Sequence, residues 1–414
     1  MTLVTELDLP AFDYTAPDFS ADRYHGQLAQ VRAQGWLARS PLAYLVLDRD
    51  AGEFFLRSRA AAFPGRQIAE FFGITSGPLW DHIDTNILNL TGTQHRRLRA
   101  LVGPALTPRA ADRWRPVMRD LLAGLWAQVP AGGPAEFMAA VARPYPALTI
   151  ATVLGAPAAD ALRLQQWSNL VQRQFDIAAL QTQVAEIEQA VGEVNAYAAA
   201  LLDGRRAMAP GQRPDDLASA LLAAEDQGER LSPAECVNLV VNVLAGAIDT
   251  TQSQLGHALR LFAAHPDQWD RLAADPALVP RAVQEVLRFE PITPFTARIC
   301  LEDIEYRDVT FPAGTIVAVC AERGNREDAA ADAGTPASGE EFDIAAERES
   351  RLLTFGAGTH FCLGANLARA ELEEALGFLA PRMPGLALDG IPELGGVEGI
   401  YGVDALPLRW ATAG

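Results

Sequence analysis

The chain has 414 residues, 49% hydrophobic and 21% charged, an ordinary globular balance. Its formal net charge of −18 argues against nucleic acid or an anionic membrane surface as the main partner, because both repel an acidic protein. All 34 basic residues are Arg, which excludes lysine Schiff-base chemistry and a phosphate loop that needs Lys.

No linker, repeat or low-complexity boundary interrupts the chain, so residues 1–414 read as a single domain large enough to enclose a cofactor. Met1 to Ala16 carries Glu6, Asp8 and Asp13 without an apolar core, so it reads as neither a secretion signal nor an anchor. Ala43 to Leu47 is a short strand signal. A helix beginning near Gln94 is followed by apolar residues at helical spacing over Arg109–Trp126, Pro157–Phe175, Val184–Ala207 and Asp215–Ala224. Ser232-Pro233-Ala234-Glu235 is a capping box with Pro at the first helical position, and helix-forming residues then run to about Ala264. That helix is apolar on nearly every face from Leu239 to Ile248, so it is expected to be buried among other helices. Asn242 interrupts the run, which is too short to span a bilayer. Pro280–Phe289 is another helix. Ile299–Val319 alternates and breaks at Pro312-Ala313-Gly314, as a hairpin does. Glu327–Glu341 is rich in Ala, Asp, Glu and Gly and reads as a surface loop, and Ala365–Leu379 is helical. The class is mainly α with a small β part. The four cysteines, Cys236, Cys300, Cys320 and Cys362, form no CxxC pair and read as isolated thiols of a reducing, cytoplasmic compartment.

The segment Phe355-Gly356-Ala357-Gly358-Thr359-His360-Phe361-Cys362-Leu363-Gly364 carries the strongest chemical signal. Glycines before and after the Cys permit positive φ angles and a tight loop whose N–H groups point at one sulfur. The helix that follows turns its positive end toward that sulfur, and Phe355 can cover it. A lone cysteine is most often a structural residue, but one Cys without partner ligands suits haem, whose four other ligands come from the porphyrin. Glu285 and Arg288 stand one helical turn apart, which by itself is an ordinary surface pair. His95 and Arg99 are four residues apart and project from one helix face, as two haem propionates would require. Gly246-Ala247-Ile248-Asp249-Thr250-Thr251 places small residues beside an acid–alcohol pair, which could relay protons to a bound oxygen. The bland alternative is a mid-helix Thr bonded back to the i−4 carbonyl, with Asp249 paired to an Arg.

In this order and spacing, the motifs resemble the soluble bacterial cytochrome P450 monooxygenases, over essentially the whole chain. The resemblance implies a helical single domain with haem b between the long central helix and the Cys-loop helix. It implies Cys362 as the iron ligand, with Phe355 and Gly364 completing the cofactor loop. His95, Arg99, Arg298 and His360 would hold the propionates, Glu285 and Arg288 would form a structural ion pair, and Asp249 and Thr250 would deliver protons. Three departures stand out: Ala247 where the family more often has Gly, Leu90-Thr91-Gly92-Thr93-Gln94 before His95, and the Ala/Asp-rich stretch 327–341.

The same resemblance lines the substrate pocket with Phe71, Phe72, Ile74, Trp80, Ile83, Val243, Gly246, Ala247, Ile292, Thr293, Phe295, Ile400 and Tyr401. These are mostly large and apolar, which favours a small hydrophobic substrate of terpenoid, steroid, fatty-acid or aromatic type. Arg66 could hold a substrate carboxylate, although a surface role is the simpler expectation. The implied activity is insertion of one oxygen atom from dioxygen, by hydroxylation or epoxidation, with electrons from an external ferredoxin and reductase. Arg348, Arg351, Arg369 and Arg382 are candidates for the ferredoxin patch. A peroxide-driven or non-oxygenating haem-thiolate enzyme is the alternative, and a non-catalytic haem-binding protein a further one.

Overall fold

The computed structural model describes residues 1–14, 19, 23–226, 231–327, 339–348 and 351–412. Residues 328–338, the middle of the stretch expected to be a surface loop, lie outside the described residues. The contacts divide the chain into two compact units, each discontinuous in sequence.

The first unit comprises Met1–Pro64, Pro280–Cys362 and Leu394–Gly402. Its centre is a five-stranded sheet in the order Leu37–Arg39, Tyr44–Val46, Ile316–Cys320, Phe295–Cys300, Ala61–Ala62. The hairpin expected over Ile299–Val319 is two nested hairpins. Phe295–Cys300 pairs antiparallel with Ile316–Cys320, and Ile304–Tyr306 pairs with Val309–Phe311 inside it. The inner turn gives no sequence signal because it lacks glycine. Its two central residues are Arg307 and Asp308, at φ +48° and +61°, a left-handed pair that usually recruits Asn-Gly. Arg307 is held there by Asp48 and by the rings of Trp36 and Tyr306. Helices Tyr24–Arg32, Arg49–Arg57, Val279–Phe289 (its first residue assigned to the second unit) and Ala321–Arg326 complete this unit.

The second unit, Gly65–Val279 with Leu363–Glu393 and Val403–Gly414, is helical. The capping box at Ser232 and Glu235 forms as expected, and the helix it starts runs Pro233–Ala264. At about 1.5 Å rise per residue its 32 residues span roughly 48 Å. It packs against Pro144–Leu154, Ala161–Gln172, Val184–Arg206 and Ala365–Leu379. The stripe from Cys236 through Leu244 and Ile248 to Phe262 is buried, and apolar area removed from water is the dominant favourable term in folding. The expected helix Arg109–Trp126 is broken at Arg113–Trp114 into Pro108–Asp112 and Arg115–Trp126, with Pro116 in the first turn of the second piece; a proline ring fits a helix start and not an interior. Among the described residues no helix is long and apolar enough to cross a membrane.

Candidate active site

In the first unit the chain turns sharply before Cys362. Gly356 and Gly358 both adopt φ +69°. A Cβ on Gly358 would stand 2.9 Å from the Arg57 Cα and 3.0 Å from the Leu56 carbonyl oxygen, so only glycine fits against helix Arg49–Arg57. The Cys362 N–H donates to the Phe355 carbonyl at 2.9 Å, and the Phe355 and Phe361 rings flank the loop with centroids 6.3 Å apart. Gly364 departs from the expectation: its φ is −81°, so it caps helix Ala365–Leu379 without left-handed backbone. Cys362 is exposed, whereas Cys236, Cys300 and Cys320 are buried. Burial pushes the Cys300 thiol up to about 11 and the Cys320 thiol up to about 12, leaving both inert.

Arg298 lies on strand Phe295–Cys300 and is 3% exposed. Its guanidinium donates to the Ala297 carbonyl, and among the described residues it has no carboxylate partner. Burial pulls its pKa down to about 10. A buried cation without a counter-charge is costly, and an anionic group bound beside it relieves that cost. His360 closes the short 3-10 turn Gly358–His360 in the same loop.

Glu285 and Arg288 form a buried bidentate pair at 2.7 and 2.8 Å. Arg288 also donates to the carbonyls of Gly339 and Glu341, and Glu285 accepts the Asp343 N–H. The pair thereby clamps both sides of the segment leading to the cysteine loop. Thr354, one residue before Phe355, donates to the Leu287 carbonyl at 2.6 Å, which fastens the loop to the same helix. Arg348, expected at the surface as a docking residue, instead turns inward and approaches Glu285 at 3.5 Å, its side chain 16% exposed. Nothing in its local sequence marks it, because its partner lies on another element.

In the second unit the long helix is buried over much of its length, with Asn242 and Val243 partly exposed just before its central open stretch. Gly246 is exposed, and Ala247, Asp249 and Thr250 are partly so, whereas Ala245, Ile248 and Thr251 are buried. The Thr250 hydroxyl donates to the Gly246 carbonyl at 2.7 Å, the i−4 back-bond of the bland alternative. Asp249 pairs with no Arg among the described residues. Its carboxylate accepts from Gln252 Nε2 at 2.8 Å, and burial pushes its pKa up to about 6 against the opposing pull of Gln252 and Arg173. Gln252 was missed, although its i+3 spacing from Asp249 is a visible signal. It continues the chain of amides to Asn169 and Gln165 on helix Ala161–Gln172.

His95 and Arg99 stand on helix Gly92–Val102, which begins two residues earlier than expected. His95 is 2% exposed, and burial together with Arg99 and Arg96 lowers its pKa. It is therefore a neutral ring near pH 7, able to offer one N–H. Glu371 on helix Ala365–Leu379 is a further buried acid that sequence reasoning missed. It is 1% exposed, and burial pushes its pKa well above the ordinary carboxylate range against the opposing effect of the Thr149 and Thr251 hydroxyls.

The pocket candidates are divided between the units. In the first, Ile292 and Tyr401 are buried and joined by the Tyr401 N–H to the Ile292 carbonyl at 2.7 Å, with Thr293 and Ile400 partly exposed beside them. Phe295 stacks on Tyr14 with centroids 4.8 Å apart, within the core. In the second, Ile74 and Ile83 are buried, Phe72, Trp80 and Val243 partly exposed, and Phe71 is 75% exposed. Arg66 is engaged by Asp84 at 2.8 Å, so its charge is already matched.

The donor set fits a haem. An exposed thiol sits in a glycine turn, and a buried guanidinium in the same unit has no carboxylate partner among the described residues. In the other unit a long helix is exposed at Gly246 and partly exposed at Ala247, Asp249 and Thr250. The comparisons agree. Residues 78–276 and 274–379 match the family model described as Cytochrome P450. The luteothin monooxygenase of Streptomyces thioluteus is 36% identical over 98% of this chain and 97% of its own. The mycinamicin IV hydroxylase/epoxidase of Micromonospora griseorubida is 35% identical over 78% of this chain and 79% of its own. The crystal structure of CalO2 superposes with a TM-score of 0.86 at 29% identity, covering 98% of this chain and all of that one. The chain belongs to the cytochrome P450 family, and its fold and enzyme class are those of a P450 monooxygenase.

Proposed function

We propose that the protein hydroxylates or epoxidises a small hydrophobic substrate with dioxygen, using haem b ligated by Cys362 and electrons from an external ferredoxin and reductase. The carrying observation is the acid–alcohol pair Asp249–Thr250, partly exposed about one turn along the long helix from the exposed Gly246. When bound, the haem supplies the oxygen-activating chemistry, and a thiolate ligand favours cleavage of the O–O bond.

The chain's own residues do the rest. The glycine turn presents the Cys362 sulfur. Arg298, His95, Arg99 and His360 supply the charge and N–H groups that anchor propionates, with Phe355 and Gly364 shaping the loop. Asp249, with a pKa of about 6, exchanges protons near neutral pH, which is the range a proton-transfer group needs. Gln252 orients that carboxylate. Thr250 directs its own proton to the Gly246 carbonyl and keeps its lone pairs as acceptors. Within the first unit Ile292, Thr293, Ile400 and Tyr401, and within the second Phe72, Ile74, Trp80, Ile83, Val243 and Ala247, are the mostly apolar candidates for substrate contact. A relative named as a hydroxylase/epoxidase supports both reaction types. The free thiols suit a reducing, cytoplasmic compartment. For the electron donor, Arg351 (side chain 60% exposed) and Arg382 are outward cations suited to an acidic ferredoxin.

A panel of terpenoid, steroid, fatty-acid and aromatic compounds, titrated into the purified protein and read on the Soret band, tests the substrate class. Apolar members are expected to move the band to shorter wavelength. A response confined to highly charged compounds would refute the hydrophobic assignment.

A further inference from the structure

In the first unit, His25 on helix Tyr24–Arg32 stands between two buried carboxylates. Its Nδ1 is 3.0 Å from Glu322 Oε1 and its Nε2 is 3.1 Å from Glu290. Glu322 is fully buried, and Glu290 is 1% exposed. A neutral imidazole has one N–H, so it would turn a lone pair toward one of these carboxylates. Both contacts are favourable only for the imidazolium.

The surrounding charges lead to the same state. From helix Ala321–Arg326, Arg323 and Arg326 bind Glu322, and both also reach Glu340. Glu290, Glu322 and Glu340 thus face Arg323 and Arg326, and a positive His25 evens the six groups. Arg326 Nη2 lies 3.4 Å from Nδ1, a longer contact than the Glu322 carboxylate makes. Tyr24 donates to Glu290 at 3.5 Å from the same helix, with its own pKa held well above 10 by burial. On strand Leu37–Arg39, which also packs on this helix, Arg39 is exposed and donates to the Leu7 carbonyl. At the far end, Arg32 pairs with Glu327 at 2.5 Å. The two carboxylates raise the His25 pKa against the opposing effect of burial.

This latch reaches the pocket candidates of the same unit through Tyr24. The Tyr24 ring meets Tyr401 edge-on with centroids 5.6 Å apart, and the Tyr401 N–H holds the Ile292 carbonyl at 2.7 Å. We propose that His25, as an imidazolium clamped by Glu290 and Glu322, is a positioning residue that fixes Tyr24 and, through it, the Tyr401–Ile292 wall of the substrate pocket. Deprotonation then removes one charge-assisted bond and slackens that wall, so the wall is tighter below the His25 pKa than above it. The assignment of this wall to the pocket rests on the function proposed above.

The test is hydrogen–deuterium exchange of the haem-loaded enzyme, comparing wild type with His25→Gln at pH 6.5 and pH 9.5, each pair at one pH. At pH 6.5 the variant should exchange at least about tenfold faster in residues 24–32 and in 397–403, since a charge-assisted hydrogen bond contributes that much or more. At pH 9.5 the two proteins should converge. Faster exchange confined to 24–32, or a difference that persists unchanged at pH 9.5, would overturn the proposal. Should the variant fail to fold, the imidazole resonance of His25 in the wild type decides: titration above 6.5 is expected, and titration below it is contrary. A ferrous carbon monoxide spectrum on the same samples separates a failed latch from a failed haem-thiolate assignment.

Discussion

Replacing Asp249 by Asn should stabilise the protein at neutral pH while crippling turnover. The carboxyl's pKa is raised from 3.8 in the unfolded chain to about 6 in the fold, chiefly by burial. A group whose folded pKa is raised contributes most favourably below its unfolded pKa, and that contribution is lost as pH climbs through the folded value. Above pH 6 the ionised Asp249 therefore costs about 3 kcal/mol, since a tenfold change in proton affinity is worth about 1.4 kcal/mol. At pH 5 the same linkage leaves only about 1.6 kcal/mol, because the folded carboxyl is then mostly protonated. Asn keeps the size and can still pair with Gln252. Urea unfolding followed by tryptophan fluorescence should show Asp249→Asn gaining about 3 kcal/mol at pH 7.5 and about half that at pH 5. Product formation should fall by about two orders of magnitude or more, the usual worth of a positioned proton-transfer group. Such a trade of stability for function marks an active-site residue. A variant destabilised at pH 7.5, or one with wild-type turnover, would refute this reasoning.

Removing one partner of the Glu285–Arg288 pair strands a buried charge, so Glu285→Ala should cost about 3–5 kcal/mol in thermal or urea unfolding and lower haem retention with it. Arg298→Leu should raise the stability of the haem-free protein, because no carboxylate of the described residues balances that cation, and should weaken haem retention in a transfer assay to apomyoglobin. Unchanged haem transfer would remove Arg298 from the propionate anchors.

The parts legible in the sequence are those governed by local chemistry. Ser232 and Glu235 announced a helix start because a capping box is satisfied within four residues, whereas the apolar run behind it is buried only in part, with Gly246 exposed and Asn242, Val243 and Ala247 partly so. The glycines before Cys362 were readable because their backbone demands are intrinsic. Pairings across the chain were not readable. Arg348 turns from the surface to Glu285 because of residues some 60 positions away, and the left-handed turn at Arg307–Asp308 depends on Asp48 and Trp36 in place of glycine. Glu371 lies between these cases. It falls four residues from Leu367 and Ala375, on the apolar stripe of its helix, so periodicity alone could have singled it out as a buried acid. The hydroxyls that act on it, those of Thr149 and Thr251, come from two other helices and had to await the fold.

Ligation of haem iron by Cys362 is the central claim, and every proposed role of the surrounding residues depends on it. The ferrous carbon monoxide spectrum of the purified wild-type protein and of Cys362→Ser tests it directly. The wild type is expected to show the thiolate-type absorption band, and the variant to lose it. A histidine-type band in the wild type, or a thiolate band that survives in Cys362→Ser, would contradict it.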